Sequence, residues 1–303
     1  TGGRVLDPFS GVGTIPFEAA LNGKQSFGID ISPLAYMVSC AKVKNCNPDI
    51  CADVLTRLGD YIQNNEIENE YRLINSRFGY NKTLGDYYEP QTFDEILSAR
   101  QYFQQNPPQT AEDFLVISSL LHVLHGNRPY ALSRKSHPIV PYAPSGDFVY
   151  KNLIEKVTGK VNKALAVENP NNFVEGQVFL GDSTQMWNDA INDLDAVITS
   201  PPFFDSTKFY MANWIRLWFL GWDEDVFEHE PANYVDERQK ITFDIYDPIF
   251  ENARERLKPG GYFVMHLGKS DTWAKYYVLK PYITLGRQNY IRKMFLLVKI
   301  LAL

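Results

Sequence analysis

The first thirty residues constrain the fold more than any other part of the chain. Arg4-Val5-Leu6 has the pattern of a buried strand and runs into Asp7-Pro8-Phe9-Ser10-Gly11-Val12-Gly13-Thr14. Residues 15–21 then show helical spacing around Glu18-Ala19-Ala20. Asn22-Gly23 stops that helix, and Ser26-Phe27-Gly28-Ile29-Asp30-Ile31 reads as a second strand with an acid near its end. Strand, glycine loop, helix and strand in this order form a βαβ unit, whose strands are parallel and whose crossover is right-handed. The expectation is an α/β fold, a mostly parallel Rossmann-like sheet with helices on both faces.

The α/β rhythm then stops for a long interval. A helical pattern covers residues 33–44, and further ones recur near 52–64, 92–105, 111–125 and 149–167, separated by Pro- and Asn-rich breaks without a recognisable strand. Gln177-Val178-Phe179-Leu180 resumes the strands and ends at Gly181-Asp182-Ser183. Asp195-Ala196-Val197-Ile198-Thr199 follows, apolar enough to be buried on both faces, and Lys258-Pro259-Gly260-Gly261 leads into Tyr262-Phe263-Val264-Met265-His266-Leu267. A crossover of about 145 residues between the second and third strands is far longer than a doubly wound sheet needs. The expected organisation is therefore a sheet domain of residues 1–50 and 176–303, interrupted by a largely helical insertion over 51–175.

Three constellations carry chemistry. Gly11 and Gly13 permit backbone conformations and close approaches that a side chain would block, and the next helix presents free N–H groups, so the loop suits a cofactor. Asp30, one βαβ unit later, is placed to accept hydrogen bonds from ribose hydroxyls; a tight structural turn with an incidental acid is the alternative. Thr199-Ser200-Pro201-Pro202-Phe203 leaves a buried strand at the carboxyl edge of the sheet, where ligands of such folds bind. A base amine is a poor nucleophile because its lone pair is delocalised into the ring. Acceptors on its two N–H groups favour a pyramidal nitrogen, and the Ser200 hydroxyl and the Pro201 carbonyl are such acceptors. Pro201 and Pro202 fix φ and offer no competing N–H, and Phe203 offers a flat face for an extruded base. A Pro-Pro turn with a packed Phe is the plainer alternative.

These motifs resemble the S-adenosylmethionine-dependent DNA amino-methyltransferases. Asp7 to Thr14 is similar to that family's Asp-Pro-Phe-x-Gly-x-Gly-Thr cofactor loop, and Ser200-Pro201-Pro202-Phe203 to its Ser-Pro-Pro-Tyr/Phe catalytic signature. The resemblance implies a methyltransferase sheet, with Asp7, Phe9, Ser10, Gly11, Gly13, Thr14, Asp30 and Asp182 around S-adenosylmethionine. Asp182 would contact the adenine amine, although an Asp-Ser pair at a strand end is also a common helix cap. Serine before Pro-Pro favours cytosine N4 over adenine N6 as the target, since the adenine and RNA guanine enzymes more often carry Asp or Asn there. Partners implied are double-stranded DNA and a cognate restriction or defence system. An RNA guanine N2-methyltransferase and a catalytically inactive nucleic-acid-binding module are the competing readings.

The remaining features set limits. Carbon methylation of cytosine needs a cysteine after the proline, and Cys40, Cys46 and Cys51 all lie elsewhere, without the spacing of a zinc site. No metal is expected, His122 and His125 being three apart on an apolar helix. Three clustered cysteines and no run long enough to cross a bilayer point to the cytoplasm. Net charge is −6; all 36 acids lie in residues 1–274 with 24 of the 30 Lys and Arg, so that part carries −12. Any nucleic-acid face must be local, and Arg128, Arg134 and Lys135 in the acid-free stretch 127–137 are the candidates, a solvated charge cluster being the alternative. Trp214, Trp218 and Trp222 recur every four residues, as in a core stripe. The chain begins at Thr1, and the family's cofactor-holding helix is expected before it. After Ser270 the match to the family ends, and residues 276–303 are apolar and basic without an evident final hairpin.

Overall fold

Two glycine-framed strands at the centre of the sheet organise the first unit. β1 (Arg4–Asp7) pairs in parallel with β2 (Gln25–Asp30) on one side and with β4 (Leu194–Thr199) on the other. β3 (Gln177–Leu180) extends the sheet beyond β2, and β5 (Leu257–Leu267) extends it beyond β4, all in parallel. β7 (Lys293–Lys299) is antiparallel to β5 and pairs in turn with β6 (Thr284–Tyr290), giving the order β3-β2-β1-β4-β5-β7-β6. This is a mostly parallel, Rossmann-like sheet with an antiparallel edge, as the sequence predicts. The final hairpin that the sequence left unassigned is present as β6 and β7. β7 takes its antiparallel register from β5, pairing Phe263 with Val298 and Leu267 with Met294.

The computed structural model describes residues 2–80, 82–137, 139–202, 208–267, 284–290 and 293–299. The chain divides into two compact units, one of Thr1–Lys44, Asn169–Ser206 and Glu230–Leu303, the other of Asn45–Glu168 and Thr207–His229. The helical unit thus begins a few residues before the expected insertion and also takes in the aromatic stretch after the catalytic loop.

In the sheet unit, helices Thr14–Leu21 and Pro33–Lys42 pack on β1, β2 and β3, and helix Asp247–Arg256 packs on β5. Crossovers stepping outward in opposite directions from β1 place these two sets on opposite faces if each is right-handed. Leu6, Phe27, Val197 and Phe263, from the four central strands, are fully buried, and Ile245, Tyr246, Ile249 and Phe250 cover them. Each such side chain contributes about 1.5–3 kcal/mol on burial, which anchors the strand ends where the loops emerge.

In the helical unit, polar caps set the helix starts. Asn47 caps helix Pro48–Asn64 through Asp49 N and Ile50 N, Thr110 and Asp113 form a capping box on helix Ala111–Val123, and Asn152 caps helix Leu153–Leu165. The stretch that carries the tryptophans forms two short helices, Phe209–Ala212 and Trp214–Phe219, broken at Asn213. Trp214, Trp218 and Trp222 are buried. Trp218 Nε1 donates to Asn75 Oδ1 at 3.0 Å, and the Arg100 guanidinium lies 5.0 Å from its ring centre, so the tryptophan stripe is core.

Candidate active site

The carboxyl ends of β1, β2, β3 and β4 place four predicted segments on one edge of the sheet unit. Asp7 ends β1 and is 3% exposed; its Oδ1 accepts from Phe9 N at 3.0 Å and from the Thr199 hydroxyl at 2.6 Å. The start of the glycine loop and the start of the Ser-Pro-Pro loop are therefore tied to one carboxyl group. Burial pushes Asp7 up to about 7, against the Thr199 hydroxyl and the Phe9 amide, which favour the charged form.

Asp30 ends β2 and closes the glycine loop from the other side. Its Oδ2 accepts from Gly11 N at 2.7 Å and its Oδ1 from Ser32 N at 2.9 Å. Desolvation again dominates and raises it to about 6, with the two backbone donors opposing. Gly13 has φ 76° and Gly11 φ 50°, both in the left-handed region. The two differ in what surrounds them. A Cβ on Gly13 would strike Ser39 of the helix behind it, whereas a Cβ on Gly11 would meet no atom within 4 Å. Gly13 is a packing glycine; Gly11 lines open space.

The other expected cofactor residues are placed as follows. Phe9 packs edge-on against Tyr246, with centroids 6.1 Å apart. Ser10 donates its backbone N–H to Ile29 O at 3.0 Å and turns its side chain over Gly28 of β2. Thr14 opens the helix and is exposed. Asp182 has both oxygens engaged: Oδ1 by the backbone and hydroxyl of Thr184, Oδ2 by Arg238 at 2.7 Å. It sits in a turn, Gln185 N donating to its carbonyl at 3.0 Å, and no helix follows it for the acid to cap. Next to it, the Ser183 hydroxyl donates to the Pro8 carbonyl, a further tie onto the glycine loop.

At the Ser-Pro-Pro loop, Ser200 is exposed and its hydroxyl lies 3.4 Å from both Nδ1 and the carbonyl oxygen of His266 on β5. Pro201 is buried, and the Pro202 carbonyl accepts from Gln239 Nε2 at 3.2 Å. Phe203 lies outside the described residues. The contributions of Arg238, Gln239, Tyr246 and His266 were not foreseen. They sit in segments with no loop motif, and only β4 pairing with β5 and the fold of residues 234–246 bring them to this edge.

In the helical unit, Arg134 has a structural task. Its guanidinium donates to Gly146 O at 2.9 and 2.6 Å and to Asp86 O at 2.9 Å, and it lies 4.2 Å from the Phe148 ring centre. The reason for the difference is that its loop carbonyls, out of regular structure, need donors. Arg128 and Lys135 remain exposed.

Both raised carboxyl groups have a consequence for pH. A folded-state value above the ordinary 3.8 means that the folded protein holds the proton more tightly than the unfolded chain. The associated stability is fully present below about 4 and is lost as pH rises through 6 to 7. Between pH 5.5 and 8, Asp7 alone accounts for roughly 2 kcal/mol of this loss. Asp7→Asn retains an acceptor for Thr199 and Phe9, so urea melts of the variant should lose less stability over that interval than the wild type. Parallel pH profiles of the two proteins would refute the assignment.

Among the described residues, no helix is long and apolar enough to cross a membrane, and no group of three or more His, Cys, Asp or Glu is arranged to hold a metal ion. No family model matches the chain. A search of curated proteins finds no match either. Among solved structures, the chain is similar to an rRNA methylase from Streptococcus thermophilus (8% identity, TM-score 0.37, covering 99% of this chain and 89% of that one). It is also similar to the rRNA methyltransferase aviRa from Streptomyces viridochromogenes (10%, 0.37, 99% and 77%) and to TrmN from Thermus thermophilus (12%, 0.36, 99% and 44%).

Proposed function

We propose that this chain is an S-adenosylmethionine-dependent methyltransferase acting on an exocyclic base amine of DNA, cytosine N4 in preference to adenine N6. The observation that carries the reading is the shared tether: Asp7 of the glycine loop holds Thr199 of the Ser-Pro-Pro loop at 2.6 Å, so a cofactor loop and an acceptor-bearing loop lie side by side at the carboxyl edge. The residues fit the cofactor. Gly11 faces open space, with no atom within 4 Å of where a Cβ would stand, and a bound cation would favour the charged forms of the two buried carboxyl groups, whose burial raises them.

When bound, S-adenosylmethionine supplies an electrophilic methyl group on a sulfonium. The chain's part is to place and activate the amine. The Ser200 hydroxyl and the Pro201 carbonyl accept the two amine N–H groups, turning the nitrogen lone pair toward the methyl group. The Pro202 carbonyl is already engaged by Gln239, which leaves Pro201 to serve the base. Ser200 in place of Asp or Asn supports cytosine. Target recognition we assign to the helical unit, with Arg128 and Lys135 as the exposed cations and Arg134 as a strut of their loop.

Incubation with tritiated S-adenosylmethionine and either duplex DNA or tRNA, followed by digestion to nucleosides, tests this directly. Label in N4-methylcytosine is expected. Label in N6-methyladenine would overturn the base assignment, and label confined to tRNA would overturn the DNA assignment. No transfer to either would refute the activity.

A further inference from the structure

Ser200 and Pro201 carry the two acceptors, and proline fixes φ but leaves ψ free. Something must therefore hold the peptide planes on either side of them. Upstream, Thr199 is held by Asp7. Downstream, the holder is Gln239, which follows the single helical turn Val235–Arg238 and is 1% exposed. Its Nε2 donates to the Pro202 carbonyl at 3.2 Å, and its Oε1 accepts from the Tyr246 hydroxyl at 3.0 Å. A carbonyl oxygen can only accept, so the amide nitrogen must face Pro202 and the amide oxygen Tyr246. Tyr246 is fully buried, and burial raises its hydroxyl well above the ordinary phenol range, so it remains a donor. Its ring leans on Phe9 of the glycine loop. A buried glutamine is costly unless both ends are satisfied, and here both are.

We propose that Gln239 is a positioning residue for methyl transfer: with Asp7 it clamps the catalytic loop at both ends, and Tyr246 orients its amide while packing on the cofactor loop. The proposal rests on the methyltransferase reading for its kinetic part alone. Gln239→Met keeps the volume and removes the donor, and Tyr246→Phe keeps the ring and removes the hydroxyl. Gln239→Met is expected to lower kcat by about 10- to 100-fold, the cost of a misplaced catalytic loop. Affinity for S-adenosylhomocysteine should stay within about threefold, since the hydrogen bonds of the Gln239 side chain go to Pro202 and Tyr246. Tyr246→Phe should lower kcat less, and the double variant should be no slower than Gln239→Met, because both break one chain of hydrogen bonds.

Deuterium exchange provides a readout independent of chemistry. Uptake by the amides of Ile198, Thr199 and Ser200 should quicken in Gln239→Met while uptake across residues 4–14 does not change; should that variant fail to fold, Tyr246→Phe carries the comparison. Unaltered exchange at 198–200, or a fall in kcat matched by the loss of cofactor affinity, would overturn the positioning role. A wild type that methylates neither DNA nor tRNA would refute the methyltransferase reading while the exchange data still decide whether Gln239 holds the loop.

Discussion

Ser200→Ala should slow methyl transfer by about two to three orders of magnitude, the usual effect of deleting one preorganised hydrogen-bonding group at a reacting centre. The size follows from what the hydroxyl does. In the proposed mechanism it accepts one of the two amine N–H groups, and only as the nitrogen becomes pyramidal does that bond strengthen, so its loss is felt in the transition state far more than in the bound state. The side chain is exposed and its neighbour is His266 on β5, whereas the glycine loop is held by Asp7 and Asp30 without it. Cofactor affinity, measured calorimetrically with S-adenosylhomocysteine, should therefore change by less than about twofold, and thermal stability hardly at all for a surface hydroxyl. Equal losses of turnover and cofactor affinity would remove Ser200 from the amine and return the Ser-Pro-Pro segment to a structural turn.

The second large effect separates two glycines that look alike in the sequence. Gly13→Ala should destabilise the sheet unit by roughly 2–4 kcal/mol, combining the penalty of a left-handed conformation for an L residue with overpacking against Ser39. Cofactor binding should fall with it, because the loop cannot keep its path. Gly11→Ala meets only the conformational penalty, about 1–2 kcal/mol, since its Cβ would point into open space. The proposed function puts the cofactor in that space, so Gly11→Ala should lose far more affinity for S-adenosylhomocysteine than its stability loss implies. Denaturant melts and calorimetry on the two variants decide the matter. Unimpaired binding by Gly11→Ala would mean that the cradle holds something else.

Much of the fold was legible because its signals are local. A glycine loop between a strand and a helix, an acid one unit later and an apolar strand before Pro-Pro each depend on residues within reach of one another in the sequence, and backbone sterics translate them into βαβ geometry. The helical interval was legible from its periodicity, but the expected starts at 52 and 149 missed the caps Asn47 and Asn152, which begin those helices at Pro48 and Leu153. Residues 276–303 were not, because a strand pair that takes its register from β5 has no periodicity of its own to read.

The candidate site divides along the same line. Local sequence determined which loops the proposed chemistry is assigned to: those with the two glycines, the paired prolines, Ser200 and the acids at the strand ends. Tertiary structure alone decided how those groups are used. Asp7 reaches Thr199 across 192 positions of chain, Asp182 is engaged by Arg238, and Gln239 meets both Pro202 and Tyr246. None of these partners has a motif, because a hydrogen bond between distant segments depends on where the sheet and its covering helices bring the atoms. That placement is set by burying Leu6, Val197, Phe263 and Tyr246 together, an energy that resides in no single stretch of the sequence.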